Sequence, residues 1–253
     1  MGPRSHEETV SRLRALIVDD ERLARKELRR LLQQHPEIEI AGEAATARDA
    51  RKMMLDLEPD VLFLDIQMPG ESAFDLLTSL DSVPLIVFTT AYDEYALHAF
   101  EVSALDYLLK PIEPGRLARA VERLLSTPPP TRPTPPISNP RQLTENHRVF
   151  VAEGERCWLI RLGEIQLFES AGNSTRVYFA NEKPLIARTL VDLVPRLDER
   201  VFFQANRHQI INVKAIRSIQ VWFGGRLLAR LESGHEVTLS RRRSREFRER
   251  MTV

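Results

Sequence analysis

Asp19, Asp20, Asp65, Thr90 and Lys110 could do chemistry together. Asp19-Asp20 follows the apolar run Ala15–Val18, Asp65 follows Val61–Leu64, Thr89-Thr90 follows Leu85–Phe88, and Lys110 follows Ala104–Leu109. Three carboxylates brought to one place repel one another unless a cation offsets their charge. Hard oxygen donors with room left for water suit Mg²⁺, and Lys110 adds a second positive charge. A carboxylate held beside a divalent metal and an ammonium is set to accept a phosphoryl group, because both cations offset the charge on the transferred oxygens. The Thr90 hydroxyl can donate to a phosphate oxygen. Taken singly, each residue is a strand-end turn or a helix cap; their ordered placement after successive apolar runs carries the reading.

The elements that must position these residues alternate in period. Between the apolar runs lie helical patterns over Glu21–Gln34, Ala47–Leu57 (capped by Thr46), Asp75–Leu80, the stretch from Asp93 to about Glu101, and Arg116–Leu125. Ile38–Ala44 supplies a further strand. Strands alternating with helices predict a parallel sheet covered on both faces, here in the flavodoxin-like order 2-1-3-4-5. In such a sheet the ligand crevice lies at the carboxyl ends of the strands, where the reactive residues fall.

The chain has 253 residues, 43% of them apolar and 28% charged, which predicts a globular protein of one large or two small domains. No apolar run approaches the ~20 residues of a membrane-spanning helix, and the opening MGPRSHEETVS lacks the apolar stretch of a secretion signal. One cysteine, Cys157, fits a reducing compartment and excludes cysteine-based zinc clusters. These features predict a cytoplasmic protein without a membrane partner. Cys157 reads as a strand residue of the core.

The net charge of zero conceals an asymmetry. Residues 1–126 carry 15 Lys and Arg against 23 Asp and Glu, and residues 127–253 carry 21 against 13. An acidic half joined to a basic half predicts two domains with different partners, the basic one suited to a polyanion. Between them, Thr127–Arg148 holds seven of the 16 prolines. Proline fixes φ and donates no N–H, so this stretch is a linker. The predicted divisions are 12–126, a linker over 127–147, and 148–253.

The second half has short strand candidates at Phe150–Val151, Trp158–Ile160, Ile165–Phe168, Arg176–Ala180, Ile216–Val221, Arg226–Leu231 and Glu236–Leu239, with Gly-Asn, Gly-Gly and Ser-Gly turns between them. Thr189–Leu197 has a helical pattern. A mostly β domain follows. Ser240–Arg250 places six arginines in eleven residues. Arginine forks suit phosphates and the guanine edge, while the interleaved Glu246 and Glu249 equally fit a solvated, salt-bridged helix.

The segments LIVDDE (16–21), FLDIQMPG (63–70), FTTAY (88–92) and ALDYLLKP (104–111) make residues 12–126 resemble the receiver domain of two-component response regulators. The resemblance implies that Asp65 is the phosphoacceptor, and that Asp20, Asp65 and the Gln67 backbone carbonyl hold Mg²⁺, with Asp19 aiding through water. It implies that Thr90 and Lys110 contact the phosphoryl group, that Tyr107 is an aromatic switch, and that Lys110–Pro111 is cis. Ala73 departs from the glycine of many receivers. The implied partner is a sensor histidine kinase. The implied consequence of phosphorylation is a homodimer formed through the face around Tyr95–Glu101 and Arg116–Leu125.

FESAGNSTRVYF (168–179), FFQANRHQIINVKAIRSI (202–219) and VTLSRRRSREF (237–247) make residues 148–250 resemble the mostly β LytTR-type DNA-binding domain. By position, the resemblance implies that Thr175, Arg207 and Arg241 reach bases of duplex promoter DNA, with Asn206, Lys214 and Arg242 nearby. Histidine in some relatives where Thr175 stands, and in many where Asn206 stands, makes the target sequence this chain's own. Arg243 replaces a common tyrosine. Together the two resemblances imply a LytR/AlgR-type regulator in which phosphorylation at Asp65 controls transcription. Two alternatives are an Asp-based phosphotransfer enzyme or phosphatase, and a β domain that binds RNA or protein. Asp65-Ile66-Gln67 lacks the second acid that haloacid-dehalogenase-type phosphatases use to protonate the leaving group.

Overall fold

The computed structural model describes residues 12–91, 105–127, 142–154 and 156–251. The predicted helix from Asp93, the first ten residues and most of the proline-rich stretch lie outside the described residues. The chain divides into two compact units, Met1–Pro130 and Thr131–Val253.

The first unit contains β1 (Leu13–Val18), α1 (Arg22–Leu32), β2 (Ile38–Ala44), α2 (Ala47–Leu57), β3 (Val61–Asp65), α3 (Ala73–Ser79), β4 (Leu85–Thr90), β5 (Asp106–Leu109) and α4 (Pro114–Ser126). The five strands form one sheet in the order β2-β1-β3-β4-β5. Every neighbouring pair is parallel. The predicted order is the observed one. Both faces of β3 and β4 are buried along their whole length, which is why their sequences are unbroken apolar runs rather than alternating ones. Successive residues serve opposite faces. Ile17, Val61, Phe63 and Val87 join Leu28, Leu31 and Leu32 of α1 and Leu117, Val121 and Leu124 of α4 in one core. On the other side, Phe74 of α3 sets its ring 5.8 Å from Phe88.

Local chemistry starts the helices. The Thr46 hydroxyl accepts from the Asp49 N–H at 3.1 Å, and Ser72 with Asp75 forms a reciprocal capping box at α3. Pro114 occupies the first turn of α4, where its missing N–H costs nothing. Ala73 begins α3 as a fully buried residue. The helix needs no glycine there.

The second unit carries β6 (Arg148–Glu153), β7 (Arg156–Arg161), β8 (Leu167–Ala171), β9 (Ser174–Tyr178), β10 (Leu185–Ile186), α5 (Leu190–Leu193), β11 (Phe202–Asn206), β12 (Gln209–Asn212), β13 (Ile216–Trp222), β14 (Arg226–Leu231), β15 (Glu236–Thr238) and α6 (Arg241–Met251). They form a five-stranded sheet, β10-β9-β8-β12-β11, a three-stranded sheet, β13-β14-β15, and the hairpin β6-β7. Phe168, Phe202 and Ile210 meet Val151, Ile160, Leu190 and Leu193 in one core. The neighbouring residues Leu167, Phe203 and Ile211 face the other way and meet Leu227, Ala229, Val237 and Phe247. The five-stranded sheet is therefore covered on both sides.

Three local expectations change, and one open reading is resolved. β11 and β12 are strands that the sequence pattern did not mark. The helical pattern over Thr189–Leu197 becomes one turn of α-helix and then a 3-10 turn, Val194–Arg196, because Pro195 cannot supply the next helical N–H. The arginine run is helical. Residues at the end of the proline-rich stretch belong to the second unit: Leu143 N–H donates to Arg196 O at 2.6 Å, and Asp198 N–H to Leu143 O at 3.1 Å. No helix among the described residues is long and apolar enough to cross a membrane.

Candidate functional site

At the carboxyl edge of the parallel sheet, carboxylate oxygens of Asp19, Asp20 and Asp65 lie within 4.8 Å of one another. Asp19 and Asp65 are buried, and Asp20 is exposed. The loop is held from behind, because Arg25 on α1 donates to Asp19 O at 2.7 Å and the Glu21 N–H donates to Asp19 Oδ1 at 2.9 Å. Lys110 Nζ stands 2.7 Å from Asp19 Oδ2 and 2.9 Å from Asp65 Oδ2. The other oxygen of Asp65 accepts the Gln67 N–H at 3.3 Å. Lys110–Pro111 is cis.

Burial pushes the Asp65 carboxyl above the usual carboxylate range, against the pull of Lys110; Asp19 adds to the rise. Lys110 loses some affinity for its proton by burial, but its bonds to Asp19 and Asp65 more than restore it. One ammonium thus serves two buried carboxylates, with a third carboxylate at the rim. That excess of negative hard oxygen fits a divalent cation such as Mg²⁺, which Asp19, Asp20 and Asp65 could hold.

Thr90 is wholly buried at the end of β4, one strand from Asp65. Tyr107 is half-buried on β5, opposite Phe88 in the β4–β5 pairing. Beside it, Asp106 receives both Arg116 guanidinium nitrogens, one at 3.0 Å to Oδ2, and Arg123 stands 3.4 Å away. The predicted face Arg116–Leu125 therefore carries an ion-paired arginine edge; its other half, Tyr95–Glu101, lies outside the described residues.

In the second unit the structure brings Asn206, Arg207, Arg241 and Arg242 to one edge. Ser240 N–H donates to Ala205 O at 2.9 Å, and Asn206 Nδ2 donates to Thr238 O at 3.0 Å. The β11–β12 turn and the start of α6 are thereby tied together. Asn206 is fully engaged, since its Oδ1 also accepts the His208 N–H at 2.8 Å. Arg207 and Arg241 are exposed and form no ion pair among the described residues. Arg242 is exposed but paired with Glu246 at 2.8 Å. Arg243 bonds Gln204 at 2.7 Å and lies over the Phe203 ring, so it serves packing.

Two predicted residues fall elsewhere. Lys214 stands beyond the far end of β12 from Arg207 and pairs with Glu145 at 2.5 Å. Thr175 is 0% exposed, and its hydroxyl donates to Arg188 O at 2.7 Å. The expectation that Thr175 reaches a base is corrected on that ground. Strand alternation held the signal: β9 buries Thr175 and Val177 on one face and leaves Ser174, Arg176 and Tyr178 partly covered on the other. The Gly172-Asn173 turn, marked in the sequence as a turn but not as a contact, is exposed next to this edge, where Ser170 N–H donates to His208 O at 2.8 Å.

Sequence reasoning also missed the support behind Asn206. Tyr178 OH donates to Glu169 Oε2 at 2.7 Å, Gln209 Nε2 donates to Glu169 Oε1 at 2.8 Å, and Asn206 Nδ2 donates to Gln209 Oε1 at 2.9 Å. Burial and the Glu169 carboxylate push the Tyr178 phenol up to about 12, so it stays a donor.

Known proteins agree with this division. A response regulator receiver domain matches residues 15–122, and a LytTr DNA-binding domain matches residues 155–252. The sensory transduction protein LytT of Enterococcus faecalis is 35% identical over 247 residues, covering 94% of this chain and 99% of that protein. An uncharacterized response regulatory protein of Vibrio cholerae is 38% identical over 239 residues, covering 94% and 98%. The transcriptional regulatory protein BtsR of Salmonella typhi is 36% identical over 247 residues, again covering 94% and 98%. A receiver joined to a DNA-binding domain defines a two-component response regulator, a class that controls transcription. The chain belongs to the LytR/AlgR-type response regulators.

Proposed function

We propose that Asp65 accepts a phosphoryl group from the phosphohistidine of a sensor histidine kinase, and that this modification controls sequence-specific binding of duplex promoter DNA by the second unit. The observation that carries the reading is Lys110 Nζ shared between Asp19 and Asp65 at 2.7 and 2.9 Å, with Asp20 at the rim. Asp65 Oδ2 attacks phosphorus, the bond to the imidazole nitrogen breaks, and its electron pair returns to the ring. Lys110 and the Thr90 hydroxyl then hold oxygens of the transferred group. Asp19, Asp20, Asp65 and the Gln67 carbonyl would hold Mg²⁺, which supplies charge neutralisation to those oxygens. The chain assists its own phosphorylation and dephosphorylation and is otherwise a switching protein.

In this reading residues 12–126 are the receiver and 148–253 the DNA-binding domain, the linker from residue 127 ends before Leu143, which already bonds within the second unit, and the protein acts in the cytoplasm. Thr90 drawn toward the phosphoryl group leaves space that Tyr107 fills, and the face around Arg116–Leu125 then supports a homodimer. Arg207 and Arg241 read base edges. Asn206 shapes the reading turn, while Arg242 and, at a distance, Lys214 meet phosphates. Incubation of the full chain with acetyl phosphate and Mg²⁺ tests the core of this. One phosphoryl mass is expected, absent in Asp65→Asn and absent without divalent metal. Labelling that persists in either case overturns the assignment.

A further inference from the structure

The hairpin β13–β14 carries three consecutive large apolar residues into solvent. Val221 is 75% exposed, Trp222 50% and Phe223 91%. From Ile219 to Arg226 no residue belongs to the core. β13 is an outer strand of its sheet, and among the described residues nothing buries these side chains. Contiguous exposed apolar surface of this kind marks a contact site.

The tip is held in place. Gly224 and Gly225 have φ of 69° and 75° and close a turn that a side chain would strain. Arg248 donates to Gly225 O at 3.1 Å. The Arg241 guanidinium lies against Gly224, so that a Cβ there would stand 3.4 Å from Nη2. Just behind the turn, Leu227 N–H, which lies opposite Val221, donates to the buried Ser244 Oγ of α6 at 3.0 Å. The aromatic tip and Arg241 are thus parts of one fixed edge.

Charge selects the occupant. The tip segment from Ile219 to Arg226 contains no acid. Arg226 pairs across the strands with Trp222, and Arg241 and Arg248 meet the two glycines. A second copy of this edge would set arginines against arginines. A polyanion with apolar faces between its charges fits, and a duplex offers phosphates outside and base steps within.

We infer that the Phe223 tip, backed by Trp222, is an apolar wedge that enters a base step beside the one contacted by Arg241 and bends the duplex. The inference rests on the proposed DNA reading by Arg241. Proteins that insert a phenylalanine partly unstack the step and kink the helix, and pyrimidine–purine steps yield most easily.

The test uses the full chain and a duplex selected from a random pool by the chain itself, with 2-aminopurine placed at successive positions. Wild type should raise the fluorescence at one step and bend the duplex in a permutation assay. Phe223→Ala should abolish both and weaken binding about tenfold, with an unchanged salt slope and an unchanged melting temperature. Phe223→Trp should keep both signals, and Arg242→Ala, at the residue assigned to phosphates, should instead lower the salt slope by about one. Unaltered bending, fluorescence and affinity in Phe223→Ala would overturn the wedge while leaving DNA binding intact. So would a Phe223→Ala variant that bends DNA normally but loses self-association in sedimentation, or loses flotation with anionic phosphatidylglycerol vesicles. A wild-type chain that retains no duplex even at low salt would overturn the DNA-binding reading itself.

Discussion

Asn206 donates its side-chain N–H to the Thr238 carbonyl at 3.0 Å, across 32 positions of sequence. This bond joins the turn that carries Arg207 to the strand that leads into Arg241. Removing it leaves the two elements joined by the Ser240 N–H to Ala205 O bond, without removing either arginine. Asn206→Ala should therefore cost about 1–2 kcal/mol of stability, from the lost bond and the Thr238 carbonyl left behind, and should weaken DNA binding as well. Urea denaturation and gel shift of the same variant check this; intact affinity at reduced stability would separate the bond from recognition.

Arg241 and Arg242 are adjacent but differently engaged, and their variants should differ in kind. Arg241→Ala should cost about 1–3 kcal/mol on the selected duplex and little on random DNA. Arg242 already shares its charge with Glu246, so Arg242→Ala should weaken every duplex alike. Titrations on selected and random DNA at several salt concentrations distinguish the two. Equal losses on both DNAs for Arg241→Ala would remove it from base readout.

Divalent metal should stabilise the receiver. Lys110 pairs with only two of the three clustered carboxylates, so a cation that binds the folded state adds about 2.7 kcal/mol at a hundredfold excess over its Kd. In EDTA, Asp20→Asn should melt no lower than wild type, because it lowers the repulsion. It should lose most of the upward shift in Tm that Mg²⁺ gives wild type. Thermal melts with and without Mg²⁺ read this directly.

Asp106 sets an acid limit. Burial raises its carboxyl, but the Arg116 fork, the Tyr107 N–H and Arg123 outweigh burial and hold it below the usual range. The folded value lies below the unfolded value of about 3.9, so this stabilisation is complete above about pH 4 to 5 and is lost as pH falls through the folded value. Asp106→Asn should cost about 1–3 kcal/mol at pH 7 and progressively less as pH falls below about 4. Urea midpoints of wild type and variant across that range should converge at the acid end.

The receiver was legible because its chemistry follows its hydrophobic pattern. The apolar runs Ala15–Val18, Val61–Leu64 and Leu85–Phe88 mark the central strands, and Asp19, Asp65 and Thr89 are the first polar residues after them, with Asp20 and Thr90 next. Lys110 reaching Asp19 and Asp65 follows once β1, β3 and β5 are parallel. The second unit was less legible for the opposite reason. β11 and β12 are joined by Arg207-His208, which carries no glycine or Asn-Gly turn signal, so FFQAN and QIIN did not separate into strands. Thr175 matched a family position, yet its alternation with Val177 puts it inside. The arginine-rich helix buries only Ser244 and Phe247 among its described side chains apart from the partly covered Arg243 and Glu246. That is too little apolar periodicity to read.

That helix has a consequence for motion. Its first turn places Arg241, Arg242 and Arg243 at the end where backbone N–H groups already make the field positive. Eleven such residues are a poor helix in isolation, so α6 exists by docking Ser244 and Phe247. It should be among the first segments of the unit to open and exchange its amide hydrogens with solvent. A bound duplex places negative charge at that first turn and closes it. Amide exchange should therefore slow more at α6 than across the five-stranded sheet, and the reading head is finished by the molecule it reads.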